Sequence, residues 1–302
     1  MTHVACPVCA APARAWRQKT VDGATWAIDR CGTCGHGFVT PRPSLDFLLE
    51  YYEGTASLAG QPLTLADVLA AERASPNSVP DAAAMLDRIA GLSPPRPDSR
   101  LLDVGSGYGF FSAAAQARGY QIAAIELGSV QRDISAAMTG VAPVAVPYED
   151  YAPAGPGFDV VLMSQILEHA LDIDVWMEKS RALLVDGGVL AIALPNFASL
   201  ARRLLQEREP FICPPEHLNF FTPDSLSHLL RRHGFDIAAT EWVTRLPRAA
   251  LARRLPGALQ PLLPAVNAGT RLASGLVDAL RLGSVLRIYA RKRSPAGRVS
   301  VS

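Results

Sequence analysis

LLDVGSGYGFF, Leu101 to Phe111, anchors the chain. A short apolar run enters three glycines at every second position, Gly105, Gly107 and Gly109, and leaves into an aromatic-rich helix start. Glycine permits positive φ and close approach of a ligand to the backbone. Free N–H groups in such a loop, with a helix N-terminus behind it, favour an anionic group such as a carboxylate or phosphate. The spacing is GxGxG, preceded by Asp103, whereas the dinucleotide fingerprint is GxGxxG. A P-loop is excluded, because no Gly-Lys-Ser/Thr follows. Glu126 stands 17 residues after Gly109, at the end of the next predicted strand. A carboxylate there can accept hydrogen bonds from both hydroxyls of a ribose.

Outside this loop the patterns alternate. Strands are expected at 101–104, 121–126, 142–146, 159–164 and 188–194, with helices at 108–118, 130–138 and 173–184. Phe235–Val243 and Ser284–Lys292 read as a closing antiparallel pair. Upstream, short helices are expected over 45–52, 64–74 and 80–92. Near-continuous apolar strands between helices mean an α/β fold, a doubly wound, mostly parallel seven-stranded sheet covered on both faces. Ligands of such sheets bind beyond the carboxyl ends of the strands, where the strand order reverses.

Together, LLDVGSGYGFF, IEL at Glu126, FDVVLMSQILEHALD, LLVDGGVLAIALPN and HLNFFTPDSLSHLLRRHGF resemble class I methyltransferases that use S-adenosylmethionine (SAM), over roughly residues 100–235. The resemblance implies a Rossmann-like fold and SAM as cofactor. It places the methionine part of SAM at Asp103, Gly105, Ser106, Gly107 and Gly109, and the ribose at Glu126 and Leu127. It places adenine contacts at Tyr148, Glu149 and Asp150, with Ser164 and Gln165 completing the pocket; a surface loop is the other reading of Tyr148. Small-molecule enzymes of this kind often carry an EH pair after the fourth strand, here Glu168-His169. Methyl transfer is an in-line displacement that needs mainly proximity and alignment. A hydroxyl acceptor must also lose its proton, which a histidine is suited to take. His169 is therefore the expected general base, with Glu168 orienting it or capping the next helix. A structural helix-start histidine is the alternative. His217, in CPPEHLNFF, either contacts the acceptor or bonds loop backbone. His228 and His233 read as surface residues.

Cys6-Pro-Val-Cys9 and Cys31-Gly-Thr-Cys34 form two CxxC pairs with 21 residues between them. The spacing suits two knuckles that present four thiolates to one structural Zn²⁺. Such a small segment cannot fold on its own apolar burial, so the metal would supply folding energy. His3 and His36 are surplus to a four-cysteine shell and read as surface residues, and Cys213 stands alone. The expected organisation is a zinc ribbon over 1–42, a helical linker or cap over 43–98, a methyltransferase domain over 99–293 and a disordered tail over 294–302. Tyr51 and Tyr52 either cap the cofactor pocket or pack in the core.

With 49% apolar and 19% charged residues the chain is an ordinary globular one, and no apolar run reaches the length of a membrane-spanning helix. MTHVACPVCAAPAR lacks the basic and apolar regions of a secretory signal, so a cytoplasmic location and reduced thiols are expected. The net charge of +1 hides an asymmetry: from Arg245 onward there are ten Arg and one Lys against a single acid, Asp278. Within that basic segment, 245–283 reads as an amphipathic insert broken by prolines. It docks on the inner face of a membrane or a lipid-linked acceptor, walls a dimer or pocket, or is merely a solvated face; a monomer or homodimer fits either way.

Ribbon-bearing relatives of this fold act on sugars, glycans and natural products, and ubiquinone-type O-methyltransferases resemble the core. The expected function is methyl transfer to a hydroxyl of a small molecule, sugar or glycan precursor. Transfer to carbon, to nitrogen or to a quinone-like ring is the alternative, although SQILEH lacks the N/DPPY-type motif of nucleic-acid and protein N-methylation. A nucleic-acid-binding ribbon protein is a further alternative. Residues 1–42 have few interleaved aromatics and no Lys/Arg run, so nucleic acid is not the expected partner.

Overall fold

A computed structural model describes residues 4–48, 50–51, 63–244 and 263–294. His3, Tyr52, residues 245–262 of the basic insert and the tail from 295 lie outside the described residues.

Three antiparallel strands come first: β1 (Ala13–Val21), β2 (Ala24–Cys31) and β3 (Gly37–Thr40). Asp22 and Gly23 both take positive φ between β1 and β2. That is the two-residue turn whose twist matches an antiparallel hairpin. Two helices follow, α1 (Leu65–Ala74) and α2 (Ser78–Leu92). A Thr64/Asp67 capping box starts α1. The main layer then runs β4 (Arg100–Val104), α3 (Phe110–Gln116), β5 (Gln121–Ile125), α4 (Ser129–Thr139), β6 (Phe158–Ser164), α5 (Ile173–Leu183) and β7 (Leu184–Pro195). It continues through α6 (Leu200–Leu205), β8 (Asn219–Phe220), α7 (Pro223–Arg232), β9 (Phe235–Val243), α8 (Leu263–Ala279) and β10 (Val285–Lys292).

The main sheet has the order β5-β4-β6-β7-β10-β9. Its first four strands are parallel, and β10 lies antiparallel to both β7 and β9. The closing pair forms as expected, with Val285 opposite Val243 and Lys292 opposite Phe235. The strand order reverses between β4 and β6, so the carboxyl ends of these two strands face the ligand crevice. Alternate residues of each strand enter opposite cores. Leu102, Val161, Met163 and Ile192 pack with α5 and α7 on one face. Leu101, Val160, Leu162 and Tyr289 pack with Met85, Leu86 and Ile89 of α2 on the other. This is the α/β, doubly wound, Rossmann-like architecture.

The expected seven strands reduce to six among the described residues. The segment 142–146 contributes a single parallel bridge, Ile125 to Val144, rather than a strand. Val144 donates to Ala124 and its carbonyl accepts from Glu126. The pairing does not extend beyond this bridge.

The cysteine-bearing sheet does not stand apart from this layer. Its order is β1-β2-β3-β8, so its fourth strand comes from the far side of the main sheet's sequence. Thr222 donates to the Cys34 carbonyl at 2.9 Å, and Arg42 reaches the Leu218 carbonyl at 3.2 Å and Asn219 Oδ1 at 2.6 Å. Likewise α2, expected within the linker, packs directly on the main sheet, where its buried Asp81 pairs with Arg287 of β10.

Candidate active site

The glycine loop leaves β4 at the crevice. Gly105, Gly107 and Gly109 all take positive φ, at +68°, +53° and +87°. The three are held for different reasons. A Cβ on Gly105 would stand 2.8 Å from Ile166, and one on Gly109 would stand 2.6 Å from Ser135 Oγ. A Cβ on Gly107 would meet nothing within 4 Å. Its side faces open space, as a backbone approached by a ligand requires.

The loop amides are not free, contrary to the expectation for an anion cradle. Gly105 and Ser106 both donate to the Ile125 carbonyl, and Gly109 donates to Ser106. Gly107 donates to Glu126 Oε2 at 2.8 Å, while Gly128 donates to Oε1 at 2.8 Å. The carboxylate at the end of β5 is thus clamped beside the loop by two amides. Leu127, next to it, is exposed.

Asp103 is buried and accepts from Ser112 at 2.7 Å. Burial pushes its carboxyl up to about 6, with the Ser112 hydrogen bond opposing. Among the described residues, Ser106 Oγ, Ser135 Oγ and Gln165 Nε2 are buried without hydrogen-bond partners. Buried polar groups are almost always satisfied, so these atoms, carried at the ends of β4 and β6 and on α4, fit a polar ligand such as the amino-acid end of SAM. Gln165 also takes a positive φ of 58°, a strained conformation for a non-glycine residue directly after Ser164 at the end of β6.

The segment after the Val144 bridge is committed elsewhere. Tyr148 is buried, bonds Ser180 at 2.8 Å and meets Trp176 edge-on at 5.0 Å. Glu149 accepts from Trp176 Nε1 at 2.5 Å. Both residues anchor α5, and the exposed Asp150 has no partner of that kind.

Beyond β6, Leu167–His169 forms one 3-10 turn. His169 and His217 stand edge to face with ring centroids 4.9 Å apart. One carboxylate oxygen of Glu168 and one nitrogen of each ring lie within 4.8 Å of one another. Glu168 is 1% exposed, and neither carboxylate oxygen has a hydrogen-bond partner among the described residues. Burial pushes its carboxyl up to about 8. His169 falls to about 3 through burial, with His217 adding to the effect, and His217 falls to about 4 through burial. Both imidazoles are therefore neutral near pH 7. His217 Nδ1 sits 2.7 Å from the Phe211 carbonyl. A carbonyl only accepts, so Nδ1 carries the proton and Nε2 keeps its lone pair.

The four cysteines converge as the spacing predicts. Sγ separations are 3.6 Å for Cys6–Cys34 and 3.5 Å for both Cys9–Cys31 and Cys9–Cys34. Tetrahedral thiolates around Zn²⁺ with bonds near 2.3 Å would stand about 3.8 Å apart. All four are free thiols. Thr33 and Cys34 amides point at Cys31 Sγ, and Ala10 and Gly35 supply the positive φ that lets each knuckle turn. The donor set fits zinc.

Two readings change. His36 is fully buried rather than on the surface, its ring against Phe38 and Phe221. His233 is largely buried and bonds Asp174 at 3.0 Å, whereas His228 is exposed as expected. Asn219 escaped the sequence reading altogether. Its side-chain amide donates to the Ala170 carbonyl at 2.7 Å and to the Glu168 carbonyl at 3.4 Å, while Arg42 holds its oxygen. It ties the ribbon's exit to the turn carrying Glu168 and His169. LNFF offers no polar pattern that would have marked it.

This is the Rossmann-like architecture, whose ligands bind beyond the carboxyl ends of the strands where the order reverses, here at β4 and β6. The sequence pattern of a family described as a methyltransferase domain matches residues 79–240, more than half of the chain. The chain belongs to that family. It is similar to the ubiquinone biosynthesis O-methyltransferase of Mesorhizobium japonicum, with 28% identity over 38% of this chain and 48% of that protein. The corresponding protein of Cereibacter sphaeroides (strain ATCC 17025) is 28% identical over 51% of this chain and 67% of its own length. A bifunctional biotin-biosynthesis protein of Cellvibrio japonicus is 28% identical over 72% of this chain and 45% of its length. The chain thus spans about half the length of the first relatives it matches. Among solved structures, an Archaeoglobus fulgidus SAM-dependent methyltransferase superposes with TM-score 0.51 at 18% identity, over 74% of this chain and 99% of that one.

Proposed function

We propose that this methyltransferase moves the methyl group of SAM to a hydroxyl of a small molecule, a sugar or a glycan precursor. The gathering of Glu168, His169 and His217 at the end of β6, one turn beyond Gln165, carries the reading. In the reaction, an acceptor oxygen attacks the methyl carbon in line, the C–S bond breaks, and its electron pair stays on sulfur. The acceptor's O–H proton leaves to a base. Neutral imidazole is the form that can take it, and His169 is assigned that role. The names of the O-methyltransferase relatives support oxygen as the acceptor atom. Labelled SAM offered with sugars, phenols and amines, and NMR of the methylated product, tests the reading. An O-methyl ether is expected, and a product methylated only at nitrogen or carbon would overturn it. His169→Ala should lower turnover far more than SAM affinity.

We also propose that Cys6, Cys9, Cys31 and Cys34 hold one structural Zn²⁺. Their thiol geometry supports it, and metal analysis of the purified chain tests it.

A separate reading concerns α8. Leu272, Leu276 and Leu280, spaced four residues apart, are 77%, 63% and 60% exposed along one line. We propose that this line rests on an anionic lipid surface. No helix among the described residues is long and apolar enough to cross a membrane, so the contact would be peripheral. Flotation with phosphatidylserine vesicles tests it. Retention lost on changing the three leucines to glutamine is expected, and no retention of the native chain refutes it.

A further inference from the structure

Glu168 poses a problem that SAM chemistry alone does not answer. It is a carboxylate 1% exposed, with both oxygens lacking hydrogen-bond partners among the described residues. An uncompensated buried carboxylate is costly, and it is normally matched by a cation or satisfied by donors. The groups that face it are the imidazoles of His169 and His217, each with a nitrogen within 4.8 Å of the carboxylate oxygen and of one another. Neutral imidazole offers a lone pair, which is what a metal ion takes. His217 has the arrangement typical of a metal-bound histidine: Nδ1–H donates to a backbone carbonyl, Phe211 at 2.7 Å, and Nε2 is directed elsewhere. The Glu168 and Ala170 carbonyls on the same turn are fixed by Leu218 N–H and the Asn219 amide, so the donor set is held from two elements.

We infer that Glu168, His169 and His217 form a second divalent-cation site, chemically distinct from the four-cysteine cluster and placed where the methyl acceptor would bind. One carboxylate and two imidazoles form a borderline donor set that suits Zn²⁺, Co²⁺ or Ni²⁺ better than Mg²⁺ or Ca²⁺. With three protein ligands, coordination positions stay open for an exogenous oxygen, as in catalytic rather than structural zinc sites. The cation would bind the acceptor hydroxyl directly and lower its pKa, and the hydroxyl proton would leave to water. His169 would then serve as a ligand in place of a base. The inference rests on the crevice being the acceptor site, as in the function proposed above.

The test uses the full chain, loaded with Zn²⁺ and dialysed exhaustively. Metal analysis should find about two zinc ions per chain, one for the thiolates and one for this cluster. Glu168→Gln and His217→Ala, each checked for folding by circular dichroism, should fall to one ion while keeping SAM affinity by calorimetry. Adding Co²⁺ to protein that retains only its ribbon zinc should give visible d–d bands without thiolate charge-transfer bands, and both variants should lose them. One ion in the native chain, or two ions retained in both variants, would overturn the second site. Hydroxyl methylation that persists at one ion per chain refutes the cation and leaves the functional reading standing. Two ions with an N- or C-methylated product does the reverse.

Discussion

Gly107 and Gly109 look equivalent in GSGYG, yet the structure separates them. Gly107→Arg places its side chain in open space beside Glu126, so SAM binding should be abolished, with a loss of about 1–2 kcal/mol from the left-handed backbone at φ +53°. Gly109→Arg must force Ser135 aside and should destabilise the fold. Calorimetry and melting of both variants check this, and unchanged SAM affinity in Gly107→Arg sinks the loop assignment. Asp103 gives a pH prediction. Its carboxyl, held up to about 6 by burial, keeps a proton in the folded chain that the unfolded chain has lost. Between about pH 4 and 6 the folded state binds more protons, so through this group stability falls as pH rises. Asp103→Asn removes that share, roughly 2–3 kcal/mol between pH 4 and 7. Urea unfolding at several pH values reads it, and parallel curves for the two proteins refute it. The residue types at these sites were legible in the sequence, but their protonation was not. It depends on desolvation by strands that arrive from elsewhere in the chain.

Elements whose signal is local came through in the sequence. Both members of the β9–β10 pair carry long apolar patterns, and their antiparallel pairing was readable from the sequence. Thr222-Pro223 announced α7, and the structure shows Thr222 accepting from the Ser225 amide at 3.1 Å as its cap. The same hydroxyl also donates to Cys34, which no local pattern can show. Thr222→Ala should therefore cost about 1–3 kcal/mol, more than an ordinary cap, because a buried carbonyl loses its partner as well. Chelator-driven release of ribbon zinc should also quicken, and Thr222→Ser should restore both; wild-type release kinetics in Thr222→Ala would deny the link. Elements without a local signal failed. The segment 142–146 reads as a strand by composition, yet it makes only a bridge. At two residues, β8 is too short to carry any period.

Across the whole molecule the ribbon and the methyltransferase layer share a sheet. β3 pairs with β8 two residues beyond His217, and Arg42 and Asn219 extend that link to the Glu168 turn. Removing ribbon zinc should thus loosen residues 4–42 and 213–222 together and depress methyl transfer, while SAM affinity survives. Hydrogen exchange with and without a chelator reads this directly, and protection lost from the ribbon alone would contradict the coupling. Sequence was enough for the layers, the glycine loop, the four-cysteine set and the EH pair after β6. Each is written in residues close together, where period, spacing and backbone freedom act locally. Folding alone brought His217 to His169, buried Glu168 with no hydrogen-bond partner among the described residues, put His36 in the core and paired the ribbon with β8. Those outcomes depend on which distant surfaces come into contact and on how much water they exclude, and neither is encoded in any one stretch of chain.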